Sequence, residues 1–326
     1  MGIQVTNVCN MTCDHCITDS SPHARGDLEW PRIEDAIRRA APYVDGVCVT
    51  GGEPLLRRET TMRVIRLTRA LGLRSSIVTN GYWARNGSEA VYVFSELGAA
   101  GLDKLAVSFD RFHDRLVSSS SLDTLLATGA DTSIEIQVQY CGDRRDDAYR
   151  IAMEAATRHG VALTTAEVLP FGRGRRLART TRIDIGSIPR DSCGVMVRPV
   201  LTPEGELFTC CGPARGSSQS SPLRLGLNTA DVSGALRSAS DDPILNAIHC
   251  QGPRALFDHL SQQTRERITD RVIDHSICAL CRAITDDDEA VSELRDALED
   301  NRLRLIALSA VMQVAQNQGS VIGPKT

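Results

Sequence analysis

The sequence predicts an α/β protein built around a parallel sheet, and three observations carry that prediction. From residue 3 to about 170, short β-rich runs alternate with longer amphipathic segments. The segment near 57–71 places Met62, Ile65 and the Leu67 and Leu71 pair on one helical face. The apolar share, 42% of 326 residues, excludes disorder and is enough for one large domain or two smaller ones.

Element by element, the strand candidates are 3–8, 46–50, 74–79, 103–109, 133–140 and 162–168. Helix candidates lie between them, near 31–44, 57–71, 87–99, 114–128 and 145–159. Strands separated by helices imply parallel βαβ units. This alternation leaves an open doubly wound sheet and a partial barrel equally available. After Pro170 the pattern changes. The expected organisation is a first domain at 1–170, a basic connecting segment at 171–190, a cysteine-bearing domain at 191–285 and a terminal helix and tail at 286–326. In the third part, β runs at Val195–Val200 and Glu206–Thr209 flank P-E-G-E. Residues 212–222 are polar, and 288–317 read as one helix.

Composition excludes several function classes. A net charge of −4 and an aromatic share of 4% argue against nucleic acid as a partner. No apolar run reaches the roughly 18 residues of a membrane span. The first residues lack a signal-peptide pattern, so a cytoplasmic location and no membrane partner are expected.

Cysteine usage says more. The count, 11, is odd, and reducing conditions disfavour a disulfide framework. Cys9, Cys13 and Cys16 form C-x3-C-x2-C directly after the first strand. Three thiolates on one tight loop suit three corners of a cubane cluster, leaving a fourth iron bare. Structural zinc is the competing reading, but it wants four ligands and no fourth is local. Gly51-Gly52-Glu53-Pro54 follows the second strand, where bare glycines admit close backbone approach and Glu53 can accept from an ammonium group. Alone, that motif would read as a plain βα turn.

Together, the two motifs resemble the radical SAM superfamily over residues 1–170. The resemblance implies a partial (β/α)6 barrel, a 4Fe–4S cluster on Cys9, Cys13 and Cys16, and S-adenosyl-L-methionine as co-substrate. Gly51, Gly52, Glu53 and Pro54 would cradle its amino end, with His15 near the adenine. Asn80 after strand three, Ser108 and Asp110 after strand four, Gln137 on strand five (with Gln139 on the same face) and Leu169 at the strand-six exit would line the same pocket. For Asp110 a helix N-cap is an equal alternative.

The later cysteines carry a second resemblance. Cys193 and Cys210 frame Gly205 as C-x11-G-x4-C, and Cys278-Ala-Leu-Cys281 follows. This pattern is similar to the twitch domain, a shortened SPASM extension, and implies one auxiliary 4Fe–4S cluster on those four cysteines. Cys211 could exchange with Cys210, and a four-thiolate zinc site is the alternative. Cys48, Cys141 and Cys250 remain, and packing is the plain account of each.

Among twitch-type enzymes the chain is most similar to epimerases of aminoglycoside biosynthesis, which convert neomycin C-type to neomycin B-type aminosugars. That similarity implies an isomerase in antibiotic biosynthesis. It inverts a carbon by hydrogen abstraction with a 5′-deoxyadenosyl radical and hydrogen return from a thiol, here Cys250. An electron donor such as flavodoxin or ferredoxin would be a partner. Asp14, Asp19, Asp27, Glu135, Glu167, Asp241 and Asp242 are candidate contacts for a polycationic sugar. The alternatives are a twitch-type dehydrogenase of a cyclitol or sugar alcohol and a ribosomal-peptide modifying enzyme. A barrel beginning by residue 3, with no leader-binding module before it, weighs against the peptide.

Overall fold

The structure, a computed structural model, describes all residues except 114–116, 178–182, 197, 211, 228–230 and 320–326. The chain forms two compact units. The first comprises Met1–Val168, Gly172–Leu177 and Thr202–Gly205; the second comprises Leu169–Phe171, Ala178–Leu201 and Glu206–Thr326.

In the first unit, strands β1 (Gly2–Gln4), β2 (Gly46–Thr50), β3 (Arg74–Thr79), β4 (Lys104–Ser108), β5 (Glu135–Cys141) and β6 (Ala162–Ala166) follow one another in space as in sequence. Each pairs in parallel with the next. The crossovers carry α1 (Trp30–Ala40), α2 (Arg58–Ala70), α3 (Gly87–Ala100), α4 (Ser119–Ala130) and α5 (Asp147–His159). β1 and β6 stand at opposite ends of this order, so the parallel sheet does not close on itself. This is the α/β parallel sheet that the alternation predicts, and it is unclosed, as the partial barrel implied by the family resemblance is.

Local sequence explains the elements. In α1 a proline in the first turn fits the helix start, and Ile33, Ala36, Ile37 and Ala40 supply the buried stripe. In α4 the Ser118 hydroxyl accepts from the Ser121 amide and caps the helix. The strands show period two. Val47, Val49, Ile77, Leu105, Val107, Ile136, Val138 and Tyr140 are buried on one face. Each such aliphatic residue contributes about 1.5–3 kcal/mol by leaving water. The other face holds Thr50, Val78, Ser108, Gln137, Gln139 and Cys141, all half-buried. Register places Ser108 beside Gln139 and Ala106 beside Gln137.

The second unit holds an antiparallel sheet of β7 (Val200–Leu201), β8 (Glu206–Phe208) and β9 (Arg224–Leu227). Around it are α6 (Val232–Asp241), α7 (Pro243–Gln251), α8 (Pro253–Asp258), α9 (Gln262–Arg271), α10 (Ile277–Thr285), α11 (Asp288–Leu298) and α12 (Arg302–Gly319). Phe208, Ile244, Ile248, Leu256, Leu280, Ile284 and Leu294 form its core together with Cys210 and Cys281.

The expected single helix at 288–317 is two helices, because a 3-10 turn at Glu299–Asn301 interrupts it. The expected strand at Val195–Val200 is confined to its last residue and Leu201. Strand one is also shorter than 3–8. Beyond Gln4 its backbone leaves the ladder to form the loop described next.

Candidate functional site

The first thiol-bearing loop is anchored by the G-G-E-P turn. The Gly52 amide donates to the Thr6 carbonyl at 2.7 Å and the Glu53 amide to the Val8 carbonyl at 2.9 Å. A Cβ on Gly52 would lie 2.2 Å from the Val8 oxygen, so this position demands glycine for contact with the chain itself. Cys9 and Cys13 are buried and Cys16 is half-buried. Burial pushes the Cys9 thiol up to about 12, with Glu53, Cys13 and Cys16 adding to the rise. A thiol buried as Cys9 is stays protonated unless a cationic metal centre replaces its proton.

Three such thiols, without a fourth cysteine in the loop, fit a cubane that leaves one iron open. Among the described residues, ligand atoms converge to within 4.8 Å only in the set His15, Asp110 and His113. Neither cysteine set closes to that spacing. A tetrahedral zinc, with its Zn–S bonds of about 2.3 Å, would require closer sulfurs.

Glu53 is fully buried and its carboxylate is engaged by the chain. Oε1 accepts from the Leu55 amide at 3.1 Å and from Thr79 Oγ1 at 2.9 Å, and Oε2 accepts from the Asn80 amide at 2.8 Å. Oε2 retains one acceptor direction for a ligand. Burial lifts this carboxyl to about 7 despite the three donors. Asn80 reaches the loop directly, donating to Asn10 Oδ1 at 2.8 Å and toward the Cys9 sulfur at 3.9 Å. Asn10, the residue between the first ligand and Met11, carried no signal in the sequence reading.

Asp110 stands just beyond β4 and is 1% exposed. Its Oδ1 accepts from the amides of Phe112 at 2.9 Å and His113 at 3.2 Å, so it caps the turn at 111–113. The N-cap of α4 is Ser118 instead. That turn carries His113 back beside Asp110, with Nδ1 2.9 Å from Oδ1. Burial opposes the charge of the His113 ring, yet Asp110 and Cys13 beside it push it up to about 10. Burial likewise opposes the charge of Asp110, but His113 and His15 hold the carboxyl below its ordinary range. His15 stacks on Phe112 with centroids 4.4 Å apart, and its burial lowers it to about 4. His113 escaped the sequence reading; its only trace there is its place three residues after Asp110.

Arg173, in the strand-six exit segment, clamps the loop from another side. Its Nε donates to the Cys13 carbonyl at 2.9 Å and its Nη2 to the Ser20 carbonyl at 2.6 Å. Gly172 precedes it at φ +55°, where a Cβ would strike the Cys16 and Ile17 carbonyls. Ser108, Gln137, Gln139 and Cys141 lie on the half-open face of the sheet. Leu169 is half-buried and is assigned to the second unit. Of the seven candidate carboxylates, three have cationic partners in the chain. Asp27 binds Arg57, Glu135 binds Lys104, and Asp242 binds Arg295 while capping α7. Asp14, Asp19, Glu167 and Asp241 are exposed.

In the second unit, Cys278 and Cys281 lie one turn apart on α10. Burial raises the Cys281 thiol well above its ordinary value, and Cys210, Cys193 and Cys278 all raise it further. The four late cysteines therefore converge electrostatically. Cys211 lies outside the described residues. Gly205 adopts φ +82° in the turn before β8. Cys250, on α7, takes no part in this set. Its sulfur donates to the Leu305 carbonyl on α12 at 3.8 Å, and burial raises its pKa. No helix among the described residues is long and apolar enough to cross a membrane.

The chain is 21% identical over 226 residues to the "Putative peptide biosynthesis protein YydG" of Bacillus subtilis, covering 66% of this chain and 69% of that one. It is 26% identical over 294 residues to a GTP 3′,8-cyclase of Paracoccus denitrificans, covering 73% and 84%. Among solved structures, SuiB of Streptococcus suis bound to S-adenosylmethionine aligns with 80% of this chain and 74% of its own. That alignment has a TM-score of 0.42 at 13% identity. The family model described as the Radical SAM superfamily matches residues 3–166, about half of the chain, and the chain belongs to that superfamily.

Proposed function

We propose that this radical SAM enzyme is an epimerase, in which Cys250 returns a hydrogen atom to a substrate carbon radical. A reduced 4Fe–4S cluster at Cys9, Cys13 and Cys16 supplies, when bound, the electron that splits S-adenosyl-L-methionine and so the 5′-deoxyadenosyl radical that takes the first hydrogen. The chain's own residues do the rest. Cys9, Cys13 and Cys16 bind three irons, Asn80 and Arg173 hold their loop, and Glu53 keeps one acceptor direction for the ammonium of the methionine moiety. His15 presents a neutral ring to the adenine side, and Cys193, Cys210, Cys278 and Cys281 bind the auxiliary cluster.

One observation carries the epimerase reading. Cys250, which the resemblance selects from the cysteines outside both ligand sets, is raised by burial and so kept a thiol rather than a thiolate. A thiol can give a hydrogen atom, one proton with one electron, leaving a sulfur-centred radical on Cys250. An electron from a flavodoxin- or ferredoxin-type donor and a proton then restore the S–H bond. The substrate proposed is an aminoglycoside aminosugar, in keeping with the resemblance and with the exposed carboxylates of Asp14, Asp19 and Glu167. The likeness to the Bacillus peptide biosynthesis protein favours a second reading, epimerisation of a peptide residue.

Turnover in heavy water with candidate aminoglycosides, or with a peptide, tests this. An inverted product carrying one deuterium at the inverted carbon is expected, whereas a ketone product identifies a dehydrogenase. Cys250→Ala is expected to release 5′-deoxyadenosine without epimer; full epimerisation by that variant removes Cys250 from the chemistry.

A further inference from the structure

We propose that His15, Asp110 and His113 form a binding site for one divalent transition metal ion of the zinc class, which joins the cluster loop to the turn after β4. The site is separate from both cysteine sets and depends on no particular substrate.

Spacing is the first support. Ligand atoms of the three side chains, one from each, lie within 4.8 Å of one another. Asp110 Oδ1 is 2.9 Å from His113 Nδ1, and Oδ2 is 3.6 Å from His15 Nε2. Zinc bonds of about 2.0–2.1 Å at the tetrahedral angle hold two ligand atoms about 3.4 Å apart, between those two separations.

The second support is independent of spacing. Asp110 is 1% exposed, yet its Oδ2 has no hydrogen-bond partner among the described residues, and neither has the buried His113 Nδ1. That nitrogen sits 2.9 Å from a carboxylate oxygen without the alignment of a hydrogen bond. Buried polar atoms of this kind call for a partner, and one ion would serve both. The division of labour within Asp110 agrees: Oδ1 accepts the amides of Phe112 and His113, which leaves Oδ2 for a ligand. The imidazoles are held as well. His15 stacks on Phe112 at a centroid distance of 4.4 Å and meets His113 edge-on at 5.2 Å.

The donor set selects the ion. Two imidazoles with one carboxylate suit zinc and its transition-metal neighbours, whereas calcium and magnesium take oxygen ligands. Each imidazole binds as the neutral base, so the ion displaces any proton on His113 and that proton leaves to solvent. Ligation uses the edge of the His15 ring and leaves its faces to stacking. It is therefore compatible with the adenine-side placement of His15 proposed above.

The test starts from the full chain loaded anaerobically with its clusters, so that the ligand cysteines are occupied. Zinc is added, the excess is removed by gel filtration, and zinc K-edge X-ray absorption reads the first shell. The expected result is one zinc per chain with nitrogen and oxygen neighbours at about 2.0–2.1 Å and no sulfur. His113→Phe keeps a ring without a ligand atom. Asp110→Asn keeps the oxygen that caps the turn but not the carboxylate charge. Each should lose that zinc at wild-type iron content. A sulfur shell at about 2.3 Å overturns the proposal, as does a wild type that retains no zinc. Full retention of nitrogen-bound zinc by either variant overturns it too. Should His113→Phe fail to fold, the wild-type spectrum and Asp110→Asn decide. A wild-type protein that takes up no iron overturns the cluster reading instead, and the metal site is then judged on the nitrogen-bound zinc that the variants lack.

Discussion

The Ser309 hydroxyl lies 2.7 Å from Nδ1 of His249, a contact between two side chains that are 4% and 0% exposed. Leu305, one turn earlier on α12, offers its carbonyl to the adjacent Cys250 thiol at 3.8 Å. One face of α12 thus holds both neighbours on α7. Ser309→Ala would leave a buried imidazole nitrogen without this partner, at a cost of about 1–3 kcal/mol. The expected outcome is a lower urea midpoint, with Ser309→Thr close to wild type because it retains the hydroxyl. Equal midpoints for all three proteins would show that the contact contributes nothing.

Gly52→Ala tests the seat of the cluster loop. The added methyl would meet the Val8 carbonyl at 2.2 Å, backbone against side chain, with no flexible group to yield. The loop must shift away from the G-G-E-P turn, at a cost of about 1–3 kcal/mol or more. Reduced iron retention after anaerobic gel filtration is expected, together with a lower melting temperature. A variant that holds iron as the wild type does would mean the loop has slack that the hydrogen bonds at Thr6 and Val8 do not suggest.

Legibility in the sequence followed the clarity of the local pattern. β2 and β3 fall at their expected positions, 46–50 and 74–79, because a buried residue alternates with a half-open one along each. The helices between 232 and 271 gave no such signal. α7 is buried at seven consecutive positions, Pro243 to His249, so it has no polar face to set a period. α9 reads Q-Q-T-R-E-R-I-T-D-R with only Thr264 and Ile268 buried. At the site, C-x3-C-x2-C and G-G-E-P were legible because ligand spacing is local. The roles of His113, Arg173 and Asn10 were not, because each acts across a fold-dependent contact rather than within a motif.

Iron counting separates the two thiol sets. With two 4Fe–4S clusters the reconstituted protein should hold about eight irons per chain. Cys13→Ala should bring this to about four and abolish cleavage of S-adenosyl-L-methionine. Cys281→Ala, at the centre of the second set, should also lose about four irons while leaving the first site able to bind S-adenosyl-L-methionine. A wild-type content near four irons, unchanged in Cys281→Ala, would remove the auxiliary cluster.

Glu53 gives the protein a pH dependence with a definite sign. Its carboxyl has an ordinary value of 4.5, and burial raises it to about 7 in the folded chain. The folded state therefore binds the proton more tightly than the unfolded state. Stability from this group is fully present below about 4.5 and declines as the pH rises through about 7, then levels off. Glu53→Gln cannot titrate, and its amide nitrogen would face the Asn80 amide where Oε2 now accepts. The variant should be less stable than wild type where Glu53 is protonated. The gap should narrow as the wild type alone loses stability between pH 5.5 and 8. Melting temperatures across that interval, measured side by side, give the difference curve, in which all other titrating groups cancel. Two parallel curves would mean that Glu53 does not change its protonation on folding, and that its three internal donors outweigh its burial.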